Sequence, residues 1–441
     1  MMTSGISTID WAFLCVERET APMHLGAVAV FAPRGEADRL RLLELLAERA
    51  RRIARLRLRL HRSWMQPCWT EVPRFDATAH VHGHQVPAPG GRAELAELVA
   101  ELTAEPLDRT RPLWELHLIT GLEDGRFAVL VKFHHALVDG RDAVQVGLGL
   151  LDGSAPERSA AHPPRSPIGE VVGLLGRPQQ LLGTVRSTLA KSGESLGIAS
   201  SVVRSVRFPP PDSPLRASGS AARRVALVPL DLAELRQIRA RHGGTTNDVV
   251  LAVIAGALRR WLTARGHDLG ELPVRVLVPV CRRRANRPNG GNNQLSGYLC
   301  ELPLAEPDPV ARLRAIRAEM ARNKSAGPQR GPGAFPVLAG RVPQLVHQVA
   351  GPLAGQGAAL LFDAVITNVP LPNFPATLDG AELAELYPVA PLAAGHALAV
   401  AVSQFNGAVH VGVQANRAAV PDLEEFREGL PLAVAELADG G

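Results

Sequence analysis

Aromatic side chains are scarce in this sequence of 441 residues, since Phe, Trp and Tyr together make up 4% of it while hydrophobic residues reach 46%. A folded core must therefore be built mainly from aliphatic side chains. No apolar run approaches the ~18 residues of a membrane span, and the N-terminus lacks a basic segment followed by an apolar stretch. We therefore expect a soluble, cytoplasmic protein without a secretory signal.

Cysteine is also scarce, and its spacing is uninformative. The four cysteines have neither metal-ligand nor disulfide spacing. This pattern is typical of reduced thiols in a cytoplasm.

A strong excess of one charge is absent, because 48 Lys and Arg residues are balanced by 43 Asp and Glu residues, for a net charge of +5. No basic strip is interleaved with aromatic residues, so the composition argues against nucleic-acid binding. The small positive excess would suit an anionic partner or an acidic lipid surface. An arginine-rich solvated surface explains it equally well.

The most informative stretch is an apolar run, Phe127 to Phe133, that ends in His134 and His135. The run predicts a buried strand, and adjacent residues of a strand point to opposite faces. Only one of the two imidazoles can therefore face a given cleft. An imidazole with a pKa of about 6.5 can take up a proton at neutral pH.

Asp139 and Gly140 follow after three further residues and predict a tight turn, after which Ala143 to Leu151 has helical spacing. A carboxylate at this position can hold the local geometry by hydrogen bonding or by an ion pair. The alternative interpretation is an ordinary Asp-Gly turn after two histidines that merely end a strand.

The chain divides into two halves around a segment rich in Ser, Pro, Ala and Gly, from about Gly153 to Arg223. Within it, Val171 to Val206 has helical apolar spacing, which predicts either a packed crossover helix or an amphipathic helix that contacts lipid. We predict an N-terminal domain, a linker with this helix and a C-terminal domain, at residues 1–155, 156–222 and 223–441.

In the second half, Thr246-Asn247-Asp248 precedes a strongly helical stretch, Val249 to Arg265, and predicts a helix N-cap. Asn406-Gly407 predicts a hairpin between two strands. In the first half, the alternation from Arg55 to Leu60 predicts a strand with one arginine face and one leucine face.

Three histidines at period two, His80, His82 and His84, raise the question of a zinc site. No carboxylate or cysteine lies close to them in the sequence. We therefore expect no metal site here.

The pattern His-His-x-x-x-Asp-Gly, at His134, His135, Asp139 and Gly140, resembles the motif of the CoA-dependent acyltransferase superfamily. That superfamily includes chloramphenicol acetyltransferase and the condensation domains of peptide synthetases. Further blocks resemble the bacterial wax ester synthase/acyl-CoA:diacylglycerol acyltransferase family over nearly the whole chain, least between about 155 and 222. These blocks are Ser4 to Phe13, Pro22 to His24, Pro106 to Asp108, Arg111 to Trp114, Thr246 to Val250, Thr367 to Pro370 and Val420 to Asp422.

The resemblance implies an α/β fold of two chloramphenicol-acetyltransferase-like domains, each a mixed sheet packed with helices, with one site at their junction. It implies that His135 is the general base and that His134 orients or assists it. Asp139 would shape the loop through an ion pair with Arg57 or, alternatively, Arg59. The short turn would end at Gly140.

The resemblance also implies residues of the second half. Asn247, in a block with Asp248, would face the reaction channel and donate to an oxyanion together with backbone amides of the helix start. Asn368 would support the site. Arg283 would lie near a phosphate of CoA, although the run Arg282-Arg283-Arg284 departs from the family pattern.

The activity implied is transfer of a fatty acyl group from acyl-CoA to the hydroxyl of diacylglycerol, of a long-chain alcohol, or of both. Acyl-CoA would be a substrate, and no metal, prosthetic group or other cofactor is expected. The protein would be a monomer or homodimer with peripheral contact to a membrane or lipid droplet. Two alternatives stay open: an O- or N-acyltransferase of specialised metabolism that uses acyl-CoA or an acyl-carrier protein, and a non-catalytic lipid-binding protein.

Overall fold

The computed structural model describes most of both halves of the chain. The described residues are 3–35, 37–61, 67–153, 213–270, 272–281, 295–326, 361–372 and 375–440. Most of the predicted linker, its predicted helix at Val171 to Val206, and Arg283 lie outside these ranges. Among the described residues we find no helix that combines 18 or more residues with the apolar character that a bilayer span requires.

Eight α-helices lie in the described ranges, four in each half. They are α1 (Thr8–Val16), α2 (Arg39–Arg52), α3 (Arg92–Ala104), α4 (Gly140–Gly149), α5 (Leu232–His242), α6 (Thr246–Ala264), α7 (Pro309–Ala326) and α8 (Leu423–Asp439).

The described strands form two six-stranded mixed sheets and one small sheet. The small sheet has the order β1-β4-β3, the N-terminal sheet β12-β13-β2-β7-β6-β5, and the C-terminal sheet β10-β9-β11-β14-β15-β8. In chain order the strands are β1 (Thr3–Gly5), β2 (His24–Ala32), β3 (Leu58–His61), β4 (Cys68–Glu71), β5 (Val81–Gln85), β6 (Trp114–Thr120), β7 (Phe127–His134), β8 (Arg223–Asp231), β9 (Val274–Cys281), β10 (Leu295–Leu302), β11 (Ala364–Val369), β12 (Thr377–Leu378), β13 (Ala381–Val389), β14 (Leu398–Phe405) and β15 (Ala408–Asn416).

The N-terminal sheet buries β7 in its middle, paired with β2 on one side and with β6 on the other. Val129 of β7 packs in a cluster with Leu42 of α2, whereas its neighbour Ala128 packs with Val99 of α3. Because both faces of β7 are covered, its sequence is a continuous apolar run. The predicted strand is confirmed, and it carries His134 at its end.

The C-terminal sheet packs on α6, α7 and α8, and α6 lies at the centre of that core. The ten residues from Val249 to Leu258 are all buried, and α6 begins at Thr246, next to the predicted N-cap. The predicted hairpin at Asn406-Gly407 is confirmed, since Phe405 pairs with Ala408 and both turn residues have positive φ.

The two halves are interlocked by β13, which follows the C-terminal sheet strand β11 in the chain but pairs with β2 in the N-terminal sheet. The backbone of β13 crosses β15 closely: a Cβ on Gly412 would lie 2.0 Å from the carbonyl oxygen of Pro388. Only glycine allows such an approach. The segment that begins at residue 223 therefore contributes all six strands of the C-terminal sheet and two strands, β12 and β13, of the N-terminal sheet.

The strand predicted from Arg55 to Leu60 is only partly correct. Residues Ala54–Arg57 form a turn of 3-10 helix, and the strand begins at Leu58. Leu56 is fully buried and Ile53 is 4% exposed, so the apolar contacts of this segment favour a turn over an extended chain. The arginines therefore do not share one face.

Candidate active site

β7 delivers two histidines that point in different directions, as the strand geometry predicts. His134 pairs in register with His24 of β2 and is 1% exposed. His135 is half-buried and lines a cavity. The two imidazoles therefore have separate environments and separate roles.

The tautomer of His134 follows from its hydrogen bonds. The backbone N–H of Ala136 donates to Nδ1 over 2.9 Å, so the proton of the neutral ring must be on Nε2. His134 Nε2 lies 3.3 Å from Oε2 of Glu17. The lone pair of Nδ1 is therefore occupied, and Nε2 lies beside a carboxylate.

Glu17 is the centre of a buried charge network that sequence reasoning missed. Arg109 Nε donates to Oε2 over 3.1 Å, and the backbone N–H of Met23 donates to Oε1 over 2.9 Å. Burial raises the pKa of Glu17, but its interactions with His134, with Arg109 and with the Met23 amide outweigh burial and hold this pKa far below the ordinary value. The carboxylate is therefore ionised.

His135 is held from two sides. Its backbone N–H donates to the carbonyl oxygen of Met23 over 2.9 Å, and the ring of Phe13 stacks on the imidazole with centroids 4.0 Å apart and planes 15° apart. Burial lowers the pKa of His135 to about 4. The imidazole is therefore neutral at pH 7 and can accept a proton.

Asp139 is the N-cap of α4. Its Oδ1 accepts from the backbone N–H groups of Arg141 (2.9 Å) and Asp142 (2.8 Å). The arginine that holds the loop is Arg55, whose Nη1 donates to the carbonyl oxygen of Leu137 over 3.1 Å and lies 3.1 Å from Oδ2 of Asp142. The carboxylate of Asp139 thus stabilises the start of α4, the helix that follows the histidines.

The predicted ion pair of Asp139 with Arg57 or Arg59 is wrong. Arg57 Nη2 lies 3.2 Å from Oε1 of Glu71, on the neighbouring strand β4. Among the described residues neither Arg57 nor Arg59 forms an ion pair with Asp139. The 3-10 turn is the reason, because it directs Arg55, two residues earlier, towards the loop.

A cavity of about 1290 Å³, counted with its open mouth, lies between the N-terminal sheet, α4 and the strands β11 and β14. Gly140 is on its wall, where a Cβ atom would meet nothing within 4 Å. Among the described lining residues only His135, Thr367 and Ser403 have polar side chains. A cavity with so apolar a lining suits a long hydrocarbon chain.

Asn247 and Asn368 meet, but not in this cavity. Asn368 Nδ2 donates to Oδ1 of Asn247 over 3.4 Å, on the face of β11 that packs against α6. Asp248 forms a capping box with Thr245, which donates to Oδ2 through its backbone N–H (2.8 Å) and its hydroxyl (2.7 Å). The N-cap is therefore Thr245, one residue before the predicted block, and the block forms the first turn of α6. None of these side chains lines the cavity that contains His135.

The comparison with known proteins identifies the family. A model of the wax ester synthase/diacylglycerol acyltransferase catalytic domain matches residues 6–250, and a model of the C-terminal domain of the same family matches residues 291–438. The chain belongs to this family. It is an acyltransferase, as the motif at His134 to Gly140 predicted.

Individual relatives agree with this family over nearly the whole chain. A Mycobacterium tuberculosis protein named as a probable diacylglycerol O-acyltransferase is 31% identical over 98% of this chain and 95% of its own length. A second protein of that organism, named for the same activity, is 33% identical over 98% of this chain and 99% of its own.

Solved structures confirm the predicted α/β fold. The wax ester synthase/diacylglycerol acyltransferase from Marinobacter aquaeolei VT8 superposes with a TM-score of 0.72, at 27% identity and with 98% of both chains covered. The first condensation domain of the CDA synthetase has the same fold, with a TM-score of 0.62 at 15% identity, covering 99% of this chain and 97% of that domain.

Within this acyltransferase, the histidines of β5 form a cluster of their own. His84 Nε2 lies 3.1 Å from Nδ1 of His117, and the ring of His82 stacks on that of His117. His80 is in a 3-10 turn before the strand and stacks on Trp114. In the described part of the chain no three His, Cys, Asp or Glu side chains converge as metal ligands.

Glu17 could have been found from the sequence only indirectly. It lies between two of the blocks that resemble the family, Ser4 to Phe13 and Pro22 to His24. A lone glutamate after a helix has no spacing pattern that predicts an active-site role. Its partners, Arg109 and His134, are about a hundred residues away in the chain.

Proposed function

We propose that this acyltransferase moves a fatty acyl group from acyl-CoA to the hydroxyl of a lipid, either diacylglycerol or a long-chain alcohol, with His135 as the general base. The observation that carries the proposal is a neutral imidazole at the edge of a long cavity whose other lining is almost entirely apolar. Such a cavity suits an acyl chain and a lipid acceptor better than a polar metabolite.

The named relatives support the acceptor class, and a structural neighbour supports the donor. The mycobacterial relatives are named for acylation of diacylglycerol, and the Marinobacter protein for wax ester synthesis and acylation of diacylglycerol. A starter condensation domain with a similar fold was solved with C8-CoA, at 14% identity and a TM-score of 0.61. In our proposal acyl-CoA is a substrate, and the reaction uses only protein groups and the two substrates.

The proton and the acyl group move in a direct transfer. Nδ1 of His135 is buried, so Nε2 takes the proton from the acceptor hydroxyl while the acceptor oxygen forms a bond to the thioester carbon. The carbon–sulfur bond then breaks, and the departing thiolate receives the proton from the imidazolium. No covalent acyl-enzyme is required, because one cavity brings the two substrates together.

The other motif residues support His135 without exchanging protons in this scheme. His134 is anchored by Ala136 and Glu17, and Asp139 caps α4. Because both proposed acceptors partition into lipid, we also propose peripheral contact of the protein with a lipid surface. Flotation of the protein with liposomes that contain dioleoylglycerol would test this contact.

The decisive experiment measures thiol release from palmitoyl-CoA with hexadecanol, with dioleoylglycerol or without an acceptor. We expect release that depends on an acceptor, and a loss of about 10²- to 10⁴-fold in His135→Ala. His61→Ala, which changes an exposed histidine of β3, is the matched control. Undiminished transfer by His135→Ala would refute the general base, and no release with either lipid would refute the acceptor class.

A further inference from the structure

The cavity has few polar side chains, although acyl transfer requires polar groups with two different functions. Acyl transfer needs a base for the acceptor hydroxyl and a hydrogen-bond donor for the negative charge that develops on the carbonyl oxygen. His135 is the proposed base. Among the described lining residues, the remaining polar side chains are Thr367 on β11 and Ser403 on β14.

The hydroxyl of Ser403 is already used. It donates to the carbonyl oxygen of Leu386 over 2.6 Å, and Ser403 is fully buried. Leu386 pairs with Ala29, in the middle of β2. Ser403 therefore lies halfway along the cavity, with its only proton directed at the backbone.

Thr367 lies nearer to the end that contains His135. It pairs in register with Ala401 of β14, and Ala401 packs in a small cluster with Ala390. Ser403, two residues further along β14, contacts instead Leu386, which pairs with Ala29, farther along β2 from His24. The direction of β14 therefore assigns Thr367 to the Ala390 end of the cavity.

The Ala390 end is the histidine end. Ala390 follows Val389, which pairs with Gly26 at the start of β2. Two residues before Gly26, His24 pairs with His134. The strand registers of both sheets thus bring Thr367 and the two motif histidines to the same end of the cavity.

The Thr367 hydroxyl is available to a ligand. Within the described part of the chain, its oxygen has no hydrogen-bond partner, and the residue is partly exposed to the cavity. The adjacent Asn368 contacts Asn247 on the other face of β11, which holds the end of this strand against α6. The hydroxyl is therefore presented from an anchored strand.

We propose that Thr367 is a catalytic residue whose hydroxyl donates a hydrogen bond to the thioester carbonyl oxygen and to the oxyanion formed from it. As the acceptor oxygen attacks, the carbonyl π electrons move to this oxygen, and Thr367 stabilises the charge without losing its proton. When the electrons return, the carbon–sulfur bond breaks. This assignment rests on the proposed acyl-CoA reaction and replaces the expectation that Asn247 supplies the donor.

The first test separates the hydroxyl from the shape of the side chain. Thr367→Val keeps the shape and removes the donor, and we expect kcat to fall about 10²- to 10³-fold with little change in KM. Thr367→Ser keeps the donor and should retain kcat within several-fold of the unmodified chain. Thr263→Val, at an exposed position of α6, is the matched control. Unchanged kcat in Thr367→Val, or equal losses in the Val and Ser variants, would overturn the assignment.

The second test does not depend on turnover. S-(2-oxoheptadecyl)-CoA carries a ketone beside the sulfur and cannot transfer an acyl group. Its carbonyl stretch, measured by infrared spectroscopy, should shift to lower frequency when the compound binds to the unmodified chain, and Thr367→Val should abolish that shift. The same shift in both proteins would contradict the proposal.

Failure of the proposed function would look different. The unmodified chain would then release no thiol with either lipid acceptor, whatever residue is at position 367. If it still binds the ketone, the infrared comparison still decides the role of Thr367. If it neither releases thiol nor binds the ketone, both proposals are wrong.

Discussion

Two helices of this acyltransferase have an acidic residue in the N-terminal cap but lie in different surroundings. Asp139 caps α4 in the N-terminal half, and Asp248 joins Thr245 in the cap of α6 in the C-terminal half. Most of α6 is buried on all sides. In α4 only Val146 is fully buried, and another face of this helix borders the cavity. The acidic residue at the helix start therefore has a capping role in both halves. Only α4 borders the cavity that contains His135, so only the cap of α4 belongs to the candidate active site.

The two halves also differ in the charge of the polar groups near the cavity. In the N-terminal half the ionised Glu17 lies among His134, Arg109 and the Met23 amide. The corresponding end of the C-terminal half has two neutral amides, Asn247 and Asn368. A charge network therefore surrounds His134, whereas the contact between Asn247 and Asn368 carries no charge.

The largest expected difference between the halves is in stability. Glu17→Ala leaves Arg109 and His134 without their carboxylate, and removing one partner of a buried ion pair costs about 3–5 kcal/mol. Asn247→Ala removes only a 3.4 Å amide contact and should cost about 1 kcal/mol or less. Urea unfolding followed by circular dichroism measures both free energies.

A surface pair provides the control for this experiment. Glu71→Ala removes the partially exposed partner of Arg57 and should change the free energy of unfolding by about 1 kcal/mol or less. If Glu17→Ala were no more destabilising than Glu71→Ala, the charge network would not support the site.

The second expected difference is in pH dependence. Burial lowers the pKa of His135 to about 4 and that of His24 to about 3. The acid limb of kcat/KM should therefore lie near pH 4 rather than near the ordinary value for histidine, because the base stays neutral above its folded pKa. Initial rates from about pH 3 to about pH 8, with folding monitored at each pH, measure this limb.

Stability should depend on pH in both halves. Burial also lowers the pKa of His410 in the C-terminal half to about 4. Since the unfolded chain binds protons more readily, stability is complete above about pH 6.5 and is lost as the pH falls towards these folded values. His410→Gln should weaken this dependence and leave the acid limb of kcat/KM in place. A displaced limb would link His410 to the chemistry.

The third expected difference concerns one glycine in α6 and one in α4. A Cβ on Gly256 of α6 would lie 2.9 Å from Cβ of Ala433 on α8, whereas a Cβ on Gly147 of α4 would meet nothing within 4 Å. Gly256→Ala should destabilise by about 1–3 kcal/mol through overpacking. Gly147→Ala should stabilise by up to about 1 kcal/mol, because alanine favours the helix. Thermal unfolding of the two variants tests this pair, and equal signs would contradict the contrast.

The effects of the caps should be smaller than those of Glu17→Ala and Gly256→Ala. Asp139→Ala should cost about 1 kcal/mol of stability and lower the folded yield and the rate, because the loop that follows His135 loses its hydrogen bonds. Asp139→Ser keeps a capping oxygen and should recover most of both. Asp248→Ala should cost about 1–2 kcal/mol, because Thr245 loses an acceptor as well. A fall in rate for Asp139→Ala with unchanged unfolding would contradict the cap as its main role.

Local patterns in the sequence predicted much of this fold. The buried run of β7, the Asn406-Gly407 hairpin and the cap before Val249 are decided by residues within a few positions of one another. The different surroundings of His134 and His135 also agree with the expectation from strand alternation. Short-range geometry suffices for these features, because a strand, a turn and a cap each depend on neighbouring residues.

Other features depended on contacts that no local pattern contains. Glu17 meets His134 across 117 positions, and β13 enters the N-terminal sheet from the far end of the chain. Arg55 rather than Arg57 holds the motif loop because a turn of 3-10 helix redirects the side chains.

The sequence by itself determined the family, the strand that carries the histidines and the helix that follows them, since these depend on neighbouring residues and on a motif. Only the tertiary structure decided which charges surround His134, which arginine holds the loop and which hydroxyl shares the cavity with His135. The physical reason is that burial, charge pairing and strand register are set by contacts between segments far apart in the chain, whose closeness is known only once the chain has folded.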